Sequence, residues 1–193
     1  GHFLTRDAPP GKALIGEFGL SLHAESVLGA QTRRVLVDFG YTPEAIHNNL
    51  ELLGIDVSQL DALVLSHGHY DHFGGMAGFL DKHGPALKPD IPLYLGTEEA
   101  FCARRYTSNG GNYGVIDRAA LQAAHVRVVS SDAPALVAGH ALNTGYIPQD
   151  GFEKVLSPTQ YRAGLDAAGN GCRPDRLADA HDHEAEVPDD SHH

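Results

Sequence analysis

Ala62-Leu63-Val64-Leu65-Ser66-His67-Gly68-His69-Tyr70-Asp71-His72-Phe73-Gly74-Gly75 is the stretch on which the reading of this chain turns. It opens on a continuous apolar run, the pattern of a strand buried on both faces. It then passes into a loop where three histidines and one aspartate fall within six positions. In extended backbone, residues i and i+2 project to one side, so His67 and His69 can converge on one cation. Asp71 and His72 lie where the chain turns toward a helix and can address an adjacent cation. Imidazole nitrogens suit zinc, iron and other transition metals, and the carboxylate adds a hard ligand. One loop histidine alone is most simply a solvated side chain. Four ligand-type residues bunched at the end of a buried strand point to use. Structural zinc sites are usually closed and rich in cysteine, and this cluster has none, so a catalytic site is favoured.

Upstream, Leu20, Leu22 and Ala24 alternate with polar residues, a period of two that predicts a half-buried strand. Gly29-Ala30-Gln31-Thr32 reads as a turn into a second strand, Arg33 to Asp38. Thr42-Pro43-Glu44 is a helix start, and Ile46, Leu50 and Leu53 carry the helix to Gly54. Met76, Phe79 and Leu80 mark another helix, ending near Gly84-Pro85. Ile91–Leu95 resembles a strand, and Thr97-Glu98-Glu99 predicts a helix through Ala103. Asp117 caps a helix toward Ala124, and Val126–Val129 reads as a strand. A hairpin over 135–142 is expected around Ala138-Gly139. Strands and helices alternate over residues 20–142, which implies a layered α/β domain.

The 193 residues suit one full-sized domain, and the net charge is −11. Such an acidic balance argues against a general nucleic-acid binder, and no apolar run is long enough to span a membrane. No stretch has the pattern of a secretory leader. Residues 166–193 hold eight acids and two bases, so more than half of the net charge lies there. That segment has few large apolar groups and reads as a mobile acidic tail that includes His181, His183, His192 and His193. The expected division is 1–160 as the folded part and 161–193 as the tail or loop. Two cysteines, Cys102 and Cys172, make no framework; Cys102 reads as core packing, and a reducing, cytoplasmic compartment is expected. Arg104-Arg105 reads first as a charged helix end and second as a contact for an anionic substrate. Tyr106, Asn109, Asn112 and Tyr113 lie in a Gly-rich segment that could line a pocket.

The H-G-H-Y-D-H segment after Leu63-Val64-Leu65-Ser66 resembles the metal motif of the metallo-β-lactamase superfamily, and Val37-Asp38-Phe39-Gly40 resembles its strand-ending Asp-x-Gly. Gly19-Leu20-Ser21, Asn49-Leu50 with Leu53-Gly54-Ile55-Asp56, and Gly145-Tyr146-Ile147-Pro148 before Phe152-Glu153 resemble a narrower group, the dihydropterin ribofuranosylaminobenzene phosphate synthase-like proteins. Phe18 stands where that group carries a histidine. The resemblance spans about residues 15–155 and implies an αββα sandwich of which this chain holds the N-terminal half. It implies two divalent metals, zinc first with iron or manganese as alternatives. His67 and His69 would hold one metal, and Asp71 and His72 the other. Asp71 would also orient a metal-bound hydroxide, and Asp38 would fix the loop. The implied activity is hydrolysis of an ester, lactone, amide or phosphorylated metabolite. Group transfer on a pterin is the alternative, and a non-catalytic half-domain pairing with another chain is the rival. The expected partner is a small-molecule substrate, with no nucleic acid or membrane. Homo-oligomerisation or pairing with a C-terminal half remains open. The family's later ligands have no match: His125 and His140 read as ordinary strand or turn histidines.

Overall fold

Alternating apolar residues build a parallel sheet with one antiparallel edge. The computed structural model describes residues 12–106, 114–145, 160–163, 171–173 and 185–186. Strand β1 (Leu22–Leu28) turns at Gly29-Ala30 into β2 (Gln31–Val37), pairing Leu22 with Val37. Helix α1 (Pro43–Leu53) starts where Thr42 Oγ1 accepts from the Ala45 amide, 3.3 Å away. Strand β3 (Ala62–Val64) leads to the short helix α2 (Tyr70–Phe73) and to α3 (Met76–His83). Then come β4 (Pro92–Leu95), β5 (Ala103–Tyr106), α4 (Arg118–Ala123), capped by Asp117, and β6 (Arg127–Ser130). The hairpin β7 (Ala135–Val137) and β8 (Ala141–Asn143) follows. Last are β9 (Gln160–Ala163) and β10 (Ala185–Glu186).

The main sheet runs β1-β2-β3-β4-β6, parallel from β2 onward. Register sets Leu36, Leu63 and Leu93 side by side on one face, all at most 1% exposed. Against them pack Ile46 and Leu50 of α1, Met76, Phe79 and Leu80 of α3, and Leu121 of α4. On the opposite face Val35 and Ala62 meet Val137 and Ala138 of the β7–β8 hairpin. The Arg33 guanidinium ties that hairpin down by donating to the Ala138 carbonyl at 3.2 Å. The architecture is a helical layer on a mixed sheet, with a β-hairpin on the sheet's other face, as expected for part of an αββα sandwich.

Three expectations are corrected. The first strand begins at Leu22, because the backbone of Leu20 is engaged elsewhere: its amide donates to Asp71 O and its carbonyl accepts from Gly40 N. Residues 70–73 are helical, since the amides of His72 and Phe73 both donate to the His69 carbonyl. The helix expected through Ala103 is a 3-10 turn, Glu98–Phe101, that stops at Cys102, and β5 follows. Cys102 is buried there and bonded to Cys172, so it is a disulfide partner as well as a packing residue. This pairing removes the cysteine argument for a reducing compartment. Among the described residues, no helix is long and apolar enough to cross a membrane. The segments of the expected tail that are described include β9, antiparallel to β5, and β10, parallel to β9.

Candidate metal centre

Parallel strands collect their C-terminal ends at one sheet edge, the usual place for ligands in such sheets. Here β2 runs into Asp38, β3 into Ser66–His69, and β4 into Gly96-Thr97. Asp38 is fully buried and adopts φ +60°, a conformation that aspartate tolerates better than most residues. Its backbone is fixed on both sides: its amide donates to Val64 O at 2.8 Å, and its carbonyl accepts from Ser21 Oγ at 2.9 Å.

The Asp38 carboxylate organises the histidine loop. Oδ1 accepts from the Ser66 amide at 2.7 Å. Oδ2 accepts from Ser66 Oγ at 2.8 Å and from His72 Nδ1 at 2.7 Å. With the Ser66 hydroxyl proton committed to Asp38, Ser66 Oγ is left to accept from His67 Nδ1, 3.1 Å away. Both histidines are thereby assigned a proton on Nδ1, and the Nε2 lone pairs of His67 and His72 are left for another partner. Buried carboxylates that hold metal-ligating imidazoles do the same.

The four expected ligands lie together, with His67 between His69 and His72. The His67 and His69 rings are 4.5 Å apart between centroids, and His67 and His72 are 4.1 Å apart. His72 Nε2 lies 3.5 Å from Asp71 Oδ2. A cleft of about 440 Å³ is lined by His67 and His69 on one wall and by Thr97, Glu99, Ala100 and Arg104 on the other. Asp71 and His72 lie outside that lining. His67 remains solvent-accessible, yet its ring is crowded. Desolvation first, then the neighbouring imidazoles of His69 and His72, lower its pKa to about 4. It is therefore neutral at physiological pH, the form that binds metal.

This donor set suits a divalent transition metal in its chemistry: neutral imidazole nitrogens with defined tautomers, and one carboxylate. Among the described residues, however, no group of three or more His, Cys, Asp or Glu is arranged to hold a metal ion. His125 follows α4 with φ +54°, and His140 sits in the β7–β8 turn; neither lies in the cleft. The tail histidines and the loop residues Asn109, Asn112 and Tyr113 lie outside the described residues.

Sequence reasoning missed Ser66, which relays between Asp38 and two imidazoles. It also missed Asp132 and Asn143 in the cleft lining, which Gly145 of the Gly-Tyr-Ile-Pro segment joins. Arg104 is neither a helix end nor an outward-facing cation: its Nη1 donates to Gly68 O at 2.6 Å. No local pattern marks any of these, because each acts on a residue distant in the chain.

Residues 26–101 match the family model of the metallo-beta-lactamase superfamily. Over 78 residues the chain is 32% identical to 7,8-dihydropterin-6-methyl-4-(beta-D-ribofuranosyl)-aminobenzene-5'-phosphate synthase of Methanocaldococcus jannaschii, covering 40% of this chain and 25% of that protein. Over 71 residues it is 37% identical to a UPF0173 metal-dependent hydrolase of Staphylococcus aureus, covering 35% and 29%. The Drosophila melanogaster beta-lactamase-like protein 2 homolog is 26% identical over 107 residues, covering 47% and 37%. The chain thus spans between 25% and 37% of the length of these curated relatives. Among solved structures, the native FEZ-1 metallo-beta-lactamase from Legionella gormanii aligns with a TM-score of 0.36 at 15% identity, over 57% of this chain and 40% of that one. A B3 metallo-beta-lactamase with an active-site glutamic acid aligns with a TM-score of 0.38 at 24% identity, over 65% and 45%. The matched residues contain the Asp38 turn and the whole His67–His72 loop, so the likeness to the metallo-beta-lactamase superfamily lies in the part of the chain that carries the candidate site.

Proposed function

We propose that this chain carries the metal-binding part of a divalent-metal-dependent hydrolase acting on a small ester, lactone, amide or phosphorylated metabolite. The observation that carries the reading is the Asp38 network. One buried carboxylate sets the tautomer of His72 directly and that of His67 through Ser66. In this reading His67 and His69 hold one metal, and Asp71 and His72 hold a second, with zinc as the first choice. A metal bound there would supply Lewis acidity at the bond under attack. The chain's own residues then divide the remaining work. Asp38 and Ser66 orient the imidazoles. Asp71, whose side chain is 29% exposed, would orient the attacking hydroxide. The cleft wall from Thr97 to Arg104 faces the histidines and would bound the substrate.

Elemental analysis of the purified chain tests the reading. Wild type is expected to retain zinc, and the His67→Ala/His69→Ala double variant is expected to lose at least half of it. Full metal content in that variant would overturn the assignment. Two equivalents in wild type would require ligands beyond the four named.

A second reading is group transfer on a pterin substrate, favoured by the 32% identity to the methanogen synthase. Turnover of a pterin alcohol with an aminobenzene ribofuranosyl phosphate would support it. Failure to bind any pterin would count against it.

A further inference from the structure

We propose that Arg104 is a positioning residue that fixes the spacing of His67 and His69 by clamping the residue between them. This rests on the reading of the loop as a metal site. Asp38 holds the loop only at its two ends, through Ser66 and His72. The span between, His67-Gly68-His69, is held from the opposite wall of the cleft. Arg104 Nη1 donates to Gly68 O at 2.6 Å and to Cys102 O at 3.1 Å, and Nη2 reaches Glu99 O at 3.5 Å. A guanidinium can serve several carbonyls at once because its donors form a planar fork, which the single ammonium of lysine cannot copy. A charged donor also makes the stronger kind of hydrogen bond.

The fit at Gly68 is close. A Cβ there would lie 2.6 Å from Arg104 Nη1 and would run into the Ala100 carbonyl oxygen. Absence of a side chain is what lets the histidine loop touch this wall. The wall itself is anchored. Cys102 is bonded to Cys172, and the Glu98 carboxylate accepts from the Arg118 guanidinium and from the Arg173 amide, the latter at 2.9 Å. Arg118 also stacks on Phe101 at 3.6 Å. Arg104 therefore connects a braced corner to the one backbone carbonyl that separates the two imidazoles. If that tie is cut, the backbone between His67 and His69 loses its hold on the braced corner.

Cobalt(II) titration of the full chain, read by visible absorption and by competition with a chelator, tests this. Arg104→Met is expected to weaken Co(II) binding about 10- to 100-fold, the usual effect of losing a residue that orients ligands. Its Co(II) bands should shift, and Arg104→Lys should recover part of the affinity. Gly68→Ala should weaken binding in the same direction with Arg104 intact. It also serves as the test if Arg104→Met does not fold. Folded Arg104→Met with wild-type affinity and spectrum would overturn the proposal, as would wild-type binding by Gly68→Ala. If wild type takes up no Co(II), the metal reading fails, and the clamp is then judged on the metal-free chain. Faster amide hydrogen exchange at residues 67–69 in Arg104→Met would support the clamp, and unchanged exchange would overturn it.

Discussion

Replacing Asp38 by alanine should be among the most damaging single changes in this chain. The carboxylate accepts three hydrogen bonds, from the Ser66 amide at 2.7 Å, Ser66 Oγ at 2.8 Å and His72 Nδ1 at 2.7 Å, and it is fully buried. A bond to a charged group contributes about 1.5–3 kcal/mol. The three share one carboxylate and two partner residues, so they do not add. Breaking a buried polar pair by removing one partner costs about 3–5 kcal/mol. Holding alanine at φ +60° adds about 1–2 kcal/mol. The sum, about 4–7 kcal/mol, is comparable to the whole stability of many domains. Asp38→Asn is the informative partner. It tolerates the same φ and keeps one acceptor oxygen, but it offers an amide where His72 needs an acceptor. Its expected cost is about 1–3 kcal/mol, from the lost charge-assisted bond. Urea unfolding followed by circular dichroism gives both numbers if the m-value is unchanged. Alanine within about 1 kcal/mol of wild type would refute the view that Asp38 organises the loop, since losing even one such bond exceeds that.

Other outcomes follow from the same geometry. Gly75→Ala places a Cβ against the Phe39 carbonyl oxygen, where α3 meets the turn after β2, and should cost about 1–3 kcal/mol in the same unfolding assay. His67 has its folded pKa lowered to about 4 from 6.5, so the unfolded chain takes up the proton first as pH falls. Its contribution to stability is therefore constant above pH 6.5 and declines from there toward about 4; histidine proton NMR should show its ring titrating well below 6.5. Reducing the Cys102–Cys172 bond, which closes a span of 70 residues, should lower stability by about 4 kcal/mol on the chain-entropy account; thermal melts with and without a thiol reductant measure it.

What could be read from the sequence was what short-range rules govern. Thr42-Pro43 and Asp117 cap helices because a side-chain oxygen reaches an amide two or three residues on, and both caps form. The histidine loop was visible because its donors are neighbours in the chain. What escaped notice depends on partners far away. Arg104 acts on Gly68, 36 residues earlier, and Cys102 bonds a residue 70 positions later. Leu20 was read as a strand residue by alternation alone, yet its amide is used by Asp71 and its carbonyl by Gly40. Ser66 looked like the last residue of an apolar strand. Its hydroxyl turns out to decide which nitrogen of His67 carries the proton, a role that only the fold can assign.

The two supports of the histidine loop differ in kind, and the difference bears on what each controls. Asp38 reaches the loop from beneath, through a neighbouring parallel strand, and its bonds go to a hydroxyl, an amide and an imidazole. It sets ring tautomer and ring direction, which govern how strongly a nitrogen donates to a metal. Arg104 reaches the loop from across the cleft, and its bond goes to backbone. On the proposed reading it would set where His67 and His69 stand relative to each other, not how basic they are. Loss of the first should therefore alter proton competition for the site, whereas loss of the second should alter geometry at fixed proton competition. Arg104 lines the same cleft as His67, Gly68 and His69, whereas Asp38 does not. Movement of the braced corner would be felt at His67 and His69 through the Gly68 carbonyl, the atom by which Arg104 holds the histidine loop.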